Sequence, residues 1–306
     1  MVNSALRIGF IGAGHTGTIL AHGLNQAGYL VGAVASRSYK SAETLANKIS
    51  GCTAHTAPAK VVDECDIVFL TVPDDAITHL ASSLPWQESK CAVHCSGALT
   101  SDALSPAKKL GAMTGSFHPL QTFSSLDTQM DRLTGCTFAI AGDAWLVTWL
   151  NELTKDFKGT AAHIEERDRP LYHASAVMAC GYLTTLLYAA SSLWKDMGFS
   201  RSEALHALLP LVKSTISNLE DQHTQNMATG PIIRGDLGTV TSHLEIIQSQ
   251  KAEVLQMYAQ LGTSMTQLAQ EQGSITSEVA AKFRELFEKY SDGKLMPKKS
   301  KCSAGE

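Results

Sequence analysis

The sequence predicts an α/β fold in two parts, a doubly wound, mainly parallel sheet followed by an all-helical domain. Three observations predict it. Short apolar runs alternate with helical patterns through the first 164 residues. The first run ends in a glycine turn that opens a helix. Beyond residue 165 no convincing strand pattern appears, and one long helical pattern follows another. Alternation of strand and helix implies parallel strands, because each crossover helix has to cover a sheet face. The expected organisation is a sheet domain over residues 1–164, a helical domain over 165–290, and a polar, basic tail over 291–306 that lacks the apolar residues needed to fold.

The first strand, residues 8–11, runs into Gly12-Ala13-Gly14-His15-Thr16-Gly17, and a helical pattern follows through Ile19, Leu20 and Leu24. This is the glycine spacing of a Rossmann-type dinucleotide turn in its strand–turn–helix setting. Gly12 permits the tight turn, Gly14 leaves room for a pyrophosphate, and Gly17 lets the helix approach the strand. The first-turn N–H groups and the helix dipole then face the phosphates. Residues 29–35 form the second strand, and 41–49 a helix with Ser41 as its expected N-cap. The run DIVFLTV, residues 66–72, reads as a strand buried on both faces. Pro73-Asp74-Asp75 ends it, and a helix resumes over 76–83. Further strands are expected at 92–95, from 116–118, at 137–141 and at 160–164, with a helix over 145–157. The second domain is read as helices over 170–195, 201–221, 239–262 and 274–289, with Pro170 suited to a first turn.

Composition narrows the function classes. Apolar residues make up 44% and charged residues 18%, enough for a large core. A net charge of −4 without a long basic run argues against nucleic acid as a partner. No run of ~18 uninterrupted apolar residues suggests a membrane span, and no signal peptide pattern opens the chain. The seven cysteines are odd in number and form no framework, so reduced thiols in the cytoplasm are expected. Cys91, His94 and Cys95 have no second ligand pair at metal-site spacing, so no metal is expected.

About 20 residues past the glycines, NAD-binding folds place an acid that holds the ribose 2′-hydroxyl. Here the local sequence is Ser36-Arg37-Ser38, with no acid before Glu43. Arg37 can pair with a 2′-phosphate, and the two serines can donate to it, so the expected cofactor is NADP. Ligands of an open parallel sheet lie beyond the carboxyl ends of the strands. That directs attention to Thr71-Val72-Pro73, expected near the nicotinamide ribose, to Ser96-Gly97, and to the segment from His118 to Phe123.

SFHPLQTF, LYHASAVMACGYLTTLL and GPIIRGDLGTVTSHL follow one another in the chain. With the glycine turn they resemble the bacterial Rossmann-like oxidoreductases whose C-terminal half is a domain of unknown function. The resemblance runs to about Lys289. In the first domain these proteins are similar to pyrroline-5-carboxylate reductase and to deazaflavin-dependent NADP oxidoreductases. The helical half is similar to the C-terminal domain of 6-phosphogluconate dehydrogenases. More distantly, Ser96 and His118-Pro119 resemble the prephenate dehydrogenase pattern, in which such a serine and histidine meet the reacting hydroxyl. Some relatives resemble an alternative ketopantoate reductase. The resemblance also implies a homodimer formed through the helical domain.

His118 is the first catalytic candidate, since hydride transfer to a carbonyl needs a proton on the oxygen and imidazole can manage it. Ser96 is a second, as a hydrogen-bonding helper or, alternatively, a turn residue before Gly97. Related two-domain dehydrogenases carry a catalytic lysine or amide near the start of the first helix of the second domain. No lysine stands between Pro170 and Leu193, which raises His173 in its place. Arg234, Asp236 and Thr239 are substrate-binding candidates, with helix capping as the competing reading for Asp236. The expectation is an NADP-dependent oxidoreductase acting between the two domains on a small carbonyl or imine, a 2-oxo acid such as ketopantoate included. A non-catalytic NADP(H)-binding or sensor protein is the alternative.

Overall fold

The computed structural model describes residues 6–123, 130–220 and 228–291. The tail expected to be disordered lies outside them from residue 292 on. The chain divides into two compact units, residues 1–182 and 183–306.

The first unit holds β1 (Arg7–Ile11), α1 (His15–Gln26), β2 (Leu30–Ala35), α2 (Tyr39–Ala46), β3 (Thr53–His55), α3 (Pro58–Glu64), β4 (Ile67–Leu70) and α4 (Asp74–Ser83). It continues with β5 (Cys91–His94), α5 (Ser105–Lys109), β6 (Met113–Pro119), β7 (Thr137–Gly142), α6 (Ala144–Asp156), β8 (Thr160–His163) and α7 (Arg169–Val177). The eight strands form one sheet in the order β3-β2-β1-β4-β5-β6-β7-β8. The first six are parallel. β7 returns antiparallel to β6, and β8 runs parallel to β7. The chain builds outward from β1 in one direction and then, from β4, in the other. The crevice beyond the carboxyl ends of β1 and β4 is therefore the switch point at which such sheets bind ligands.

Successive strand residues alternate between the two faces, and the core divides accordingly. Ile8, Phe10, Phe69, Val93 and Phe117 pack with Ile19, Leu20 and Leu24 of α1 on one face. Ile11, Val68, Leu70 and Ala92 pack with Val61 of α3 and Ile77 of α4 on the other. β3 is absent from the sequence reading because three residues are too few to display an alternation. The N-cap of α2 is Ser38, whose Oγ accepts the Ser41 N–H at 3.4 Å, and not Ser41 itself. α4 begins at Asp74, since Pro73 can hold the N-cap and two acids suit a first turn.

The second unit contains α8 (Leu183–Leu193), α9 (Arg201–Glu220), α10 (Leu237–Gln250), α11 (Ala252–Glu271) and α12 (Ser277–Ser291). Val240, Leu244, Ala259, Phe283 and Phe287 form its core. The single helix expected over 239–262 is two, because Lys251 leaves helical geometry at φ −141°, ψ 56°. The helix expected over 170–195 is likewise broken, by a π-helical turn at Met178–Tyr182. Gly181 in that turn weakens the regular helix.

The division falls at residue 182, later than the expected 164, because α7 is fastened to the sheet. Arg169 is fully buried and donates from Nη2 to Ser116 Oγ on β6. Just before α7, the Glu166 carboxylate accepts the Ser101 N–H at 2.9 Å. Among the described residues, one helical run, Glu166–Met197, is long and apolar enough by composition to cross a membrane, at mean hydropathy 1.4. The sequence expectation of no span rested on uninterrupted apolar runs, which an average does not require.

Candidate active site

At the switch point the backbone is the working surface. Gly12 has φ +114°, and an added Cβ would lie 2.3 Å from the Thr71 carbonyl oxygen. A Cβ on Gly17 would lie 2.2 Å from the Gly12 carbonyl. The Thr71 Oγ1 donates to that same carbonyl at 2.8 Å, so β4 and the glycine turn are tied together. Gly14 differs, because a Cβ there would meet nothing within 4 Å. It is the N-cap of α1 and makes no side-chain cap, so no side chain satisfies the first-turn N–H groups from this position. A dinucleotide pyrophosphate fits such a cradle. Ala13, His15 and Thr16 sit on its exposed or half-buried rim, and Val72 and Pro73 follow Thr71 out of β4.

Beside the cradle lies a cleft of about 260 Å³ lined by Ala13, Thr18, Ser38, Lys40, Ser41 and Lys48, among others. Ser36 and Arg37 precede it on the turn out of β2, with Arg37 exposed. The structure thus adds Lys40 and Lys48 to the cationic groups available for a 2′-phosphate. Lys48 comes from the turn just beyond α2, too distant in sequence for a local motif to flag.

Further along the same carboxyl edge, β5 and β6 present a polar face. His94 pairs in register with Ser116, and His118 lies two residues beyond, on the same side. α7 meets this face with Arg169, Tyr172 and His173, spaced i, i+3, i+4 so that they share one side of the helix. The Tyr172 hydroxyl and His118 Nδ1 are 2.7 Å apart, with the rings nearly perpendicular at 89°. The His118 and His173 ring centroids are 6.3 Å apart. Gly97 sits between them. A Cβ there would come within 2.8 Å of His118 Nε2 and 2.9 Å of His173 Cδ2. A cleft of about 500 Å³ opens here, lined by His118, Gln121, Thr122, His173, Ser175 and the π-helical turn.

Burial, then His173 and the Arg169 guanidinium, push His118 down to about 4. Burial and Arg169 do the same to His94, also to about 4. Both imidazoles are therefore neutral near pH 7, where a free histidine is already mostly so. Burial raises the Tyr172 phenol to about 12. His94, His118 and Tyr172 are thus uncharged beside the buried Arg169 cation, with the Asp74 carboxylate also facing both imidazoles. The Nε and Nη1 of Arg169 have no hydrogen-bond partner among the described residues.

Of the residues named from sequence, His118 and His173 come together. Ser96 does not offer them its proton. Its Oγ donates to Asp74 at 2.7 Å and accepts the N–H groups of Ala98 and Leu99 at 3.2 and 3.0 Å. With donor and acceptors committed, Ser96 fastens the loop that carries Gly97, in keeping with the turn reading held beside the catalytic one. Asp236 and Thr239 are similarly committed in the second unit. Asp236 caps α10, accepting the Thr239 N–H at 3.0 Å and its hydroxyl at 2.6 Å, bonds that hold its carboxyl below the usual range. These bonds favour the capping reading over substrate contact. Arg234 is exposed.

A glycine cradle at the switch point of a mainly parallel sheet is the arrangement of a Rossmann-type dinucleotide-binding domain. Residues 7–96 match the family described as NADP oxidoreductase, coenzyme F420-dependent, and residues 136–265 match a domain of unknown function, DUF2520. The chain is thus similar to NADP oxidoreductases over its first part and to DUF2520 proteins over its second, and NADP is the cofactor of the oxidoreductases it resembles. Its fold resembles that of a proposed NADP oxidoreductase of Bacteroides fragilis, at 23% identity and TM-score 0.70 over 84% of this chain and 96% of that one. It also resembles 1-pyrroline-5-carboxylate reductase of Streptococcus pyogenes, at 16% identity and TM-score 0.60 over 94% and 99%. A third likeness is to a reductive aminase of Aspergillus terreus solved with NADPH and ethyl levulinate, at 14% identity and TM-score 0.61 over 93% of each chain. No curated protein matches this chain in sequence.

Proposed function

We propose that this protein is an NADP-dependent reductase of a small carbonyl or imine compound. The observation that carries the proposal is the juxtaposition, on one sheet edge, of an open backbone cradle at Gly14 and a neutral His118 beside a cleft. Gly12, Gly14 and Gly17 would hold the pyrophosphate, and Arg37, Lys40 and Lys48 are the cations available to the 2′-phosphate. When bound, the nicotinamide supplies or accepts the hydride. His118 then offers a hydrogen bond to the reacting oxygen or nitrogen, and His173 flanks it. A 2-oxo acid remains within this reading, but ketopantoate has no support from the relatives. Two of the similar folds are named for imine chemistry, a pyrroline carboxylate reductase and a reductive aminase.

The test is His118→Ala, assayed with NADPH against 2-oxo acids, cyclic imines and keto esters. Turnover is expected to fall at least ~100-fold, the lower end for an acid–base group, with NADPH affinity unchanged. Unchanged turnover removes His118 from the reaction. NADPH binding without turnover of any of these compounds would instead leave a binding or sensor protein.

We also propose that the protein acts as a homodimer in the cytoplasm. Among the described residues, Cys52, Cys65, Cys91, Cys95 and Cys136 are thiols outside any disulfide, which suits a reducing compartment. In the first unit, Leu171, Met178 and Tyr182 are 74%, 63% and 61% exposed. In the second, Tyr188, Leu209, Leu211 and Ile216 are exposed as well. Apolar surface of this kind is normally covered by a partner. Light scattering is expected to give twice the chain mass, and a monomer at micromolar concentration would reject the dimer.

A further inference from the structure

The contact between Tyr172 and His118 bears on which imidazole nitrogen carries the proton, and hence on what the ring can do over Gly97. A neutral imidazole has one donor and one acceptor nitrogen, and the partner of one fixes the role of the other. Tyr172 approaches Nδ1 at 2.7 Å. Nε2 is the ring atom nearest the position of a Cβ on Gly97, beside His173.

We propose that Tyr172 is a positioning residue that donates its phenolic proton to His118 Nδ1, locking the ring in the Nε2–H tautomer so that a hydrogen-bond donor is presented over Gly97. The chemistry of the pair sets the direction. Burial raises the phenol to about 12, so Tyr172 keeps its proton. Burial with His173 and Arg169 lowers the imidazole to about 4, so Nδ1 keeps its lone pair. An imidazole nitrogen accepts more strongly than a phenol oxygen. The neighbouring His94 is held in the same sense, since its Nδ1 accepts the Ser96 N–H at 3.2 Å. Fixing a tautomer through the far nitrogen makes the near one a donor without a positive charge. A carbonyl oxygen or an imine nitrogen calls for such a group as it gains electron density. A nucleophile awaiting deprotonation calls for the opposite tautomer, so the lock favours reduction over attack.

The role in reduction rests on the reading given under Proposed function, but the tautomer does not, and it can be observed without turnover. Protein labelled with ¹⁵N-histidine is examined at neutral pH by two-bond ¹H–¹⁵N correlation. In these spectra Nε2 couples to both ring carbon protons, while Nδ1 couples strongly to one. His118 is assigned by loss of its signals in His118→Ala. In the native protein His118 is expected as one species protonated on Nε2. In Tyr172→Phe, which keeps the ring and its packing, both nitrogens are expected at averaged positions as the two tautomers exchange. A native His118 protonated on Nδ1 overturns the proposal. So does a Tyr172→Phe spectrum in which the single Nε2–H species persists. If the lock is seen but no carbonyl or imine is reduced, the reductase reading fails and the tautomer assignment stands.

Discussion

The two ends of the sheet's carboxyl edge are built on different principles. At Gly12–Gly17 the surface is backbone, and side chains matter by their absence. At His94, Ser116 and His118 it is side chain, set by a helix that crosses from elsewhere in the chain. At Gly12 and Gly17 the backbone end tolerates no added atom, because the nearest neighbour of each is itself a backbone carbonyl. A Cβ on Gly12 faces the Thr71 carbonyl at 2.3 Å, and neither strand can retreat without breaking its ladder. The side-chain end has more freedom, since a Cβ on Gly97 meets two imidazoles that can rotate. A rigid cradle suits a cofactor shared across a family. An adjustable pair suits a substrate that changes from one member to the next.

Substitutions at the two glycines break that comparison in different ways. Gly12→Ala places a side chain at φ +114° and against backbone. Backbone strain of this kind costs ~1–3 kcal/mol before any clash is counted. NADPH affinity is expected to fall by at least ~100-fold, equivalent to about 2.7 kcal/mol, and thermal stability is expected to fall with it. Isothermal titration and a melting curve check both. Intact NADPH binding in Gly12→Ala would move the cofactor away from this turn. Gly97→Ala is expected to be milder and to act on turnover alone. Pushing His118 and His173 off their preferred rotamers costs ~0.5–1.5 kcal/mol, so a fall of up to about tenfold in kcat with unchanged NADPH affinity is expected. A loss of cofactor affinity in Gly97→Ala would show that the two ends are not separable.

The same contrast explains what could be read in advance. The glycine turn is legible because its constraint is local. Strand, turn and helix lie within about twenty residues, and each glycine has one steric reason. The other seven strands follow for the same reason, while β3 is too short to show its pattern. His118 is legible only as a polar residue beyond a strand end. Tyr172 and Arg169 are not singled out, although Arg169, Tyr172 and His173 stand at i, i+3, i+4 in a strongly apolar stretch. That polar stripe is the signal a closer reading would use, for a buried stripe needs polar partners and the sheet supplies them. Ser96 and Asp236 each carry two readings in the sequence, one chemical and one structural. Both are polar residues at suggestive places whose hydrogen bonds are spent on holding a loop and capping a helix.

The smallest effect is expected at the phosphate-reading end, where sequence and structure emphasise different cations. Arg37 is named by its distance from the glycines, but its side chain is exposed on the turn after β2. Lys48 lines the cleft with Ser38, Lys40 and Ser41. An exposed charge pair is worth ~0.2–1 kcal/mol, so Lys48→Ala is expected to weaken NADPH by no more than about fivefold. The loss should shrink in high salt, because screening acts on exposed charges over a Debye length of ~10 Å at 0.1 M. NADH affinity should not change, since it lacks the phosphate. Arg37→Ala, measured beside it, decides which cation reads the phosphate. If Arg37→Ala alone lowers the preference for NADPH over NADH, the turn does the reading and the cleft is incidental. If both do, the 2′-phosphate is held between them, one cation supplied by the turn after β2 and one by the turn after α2.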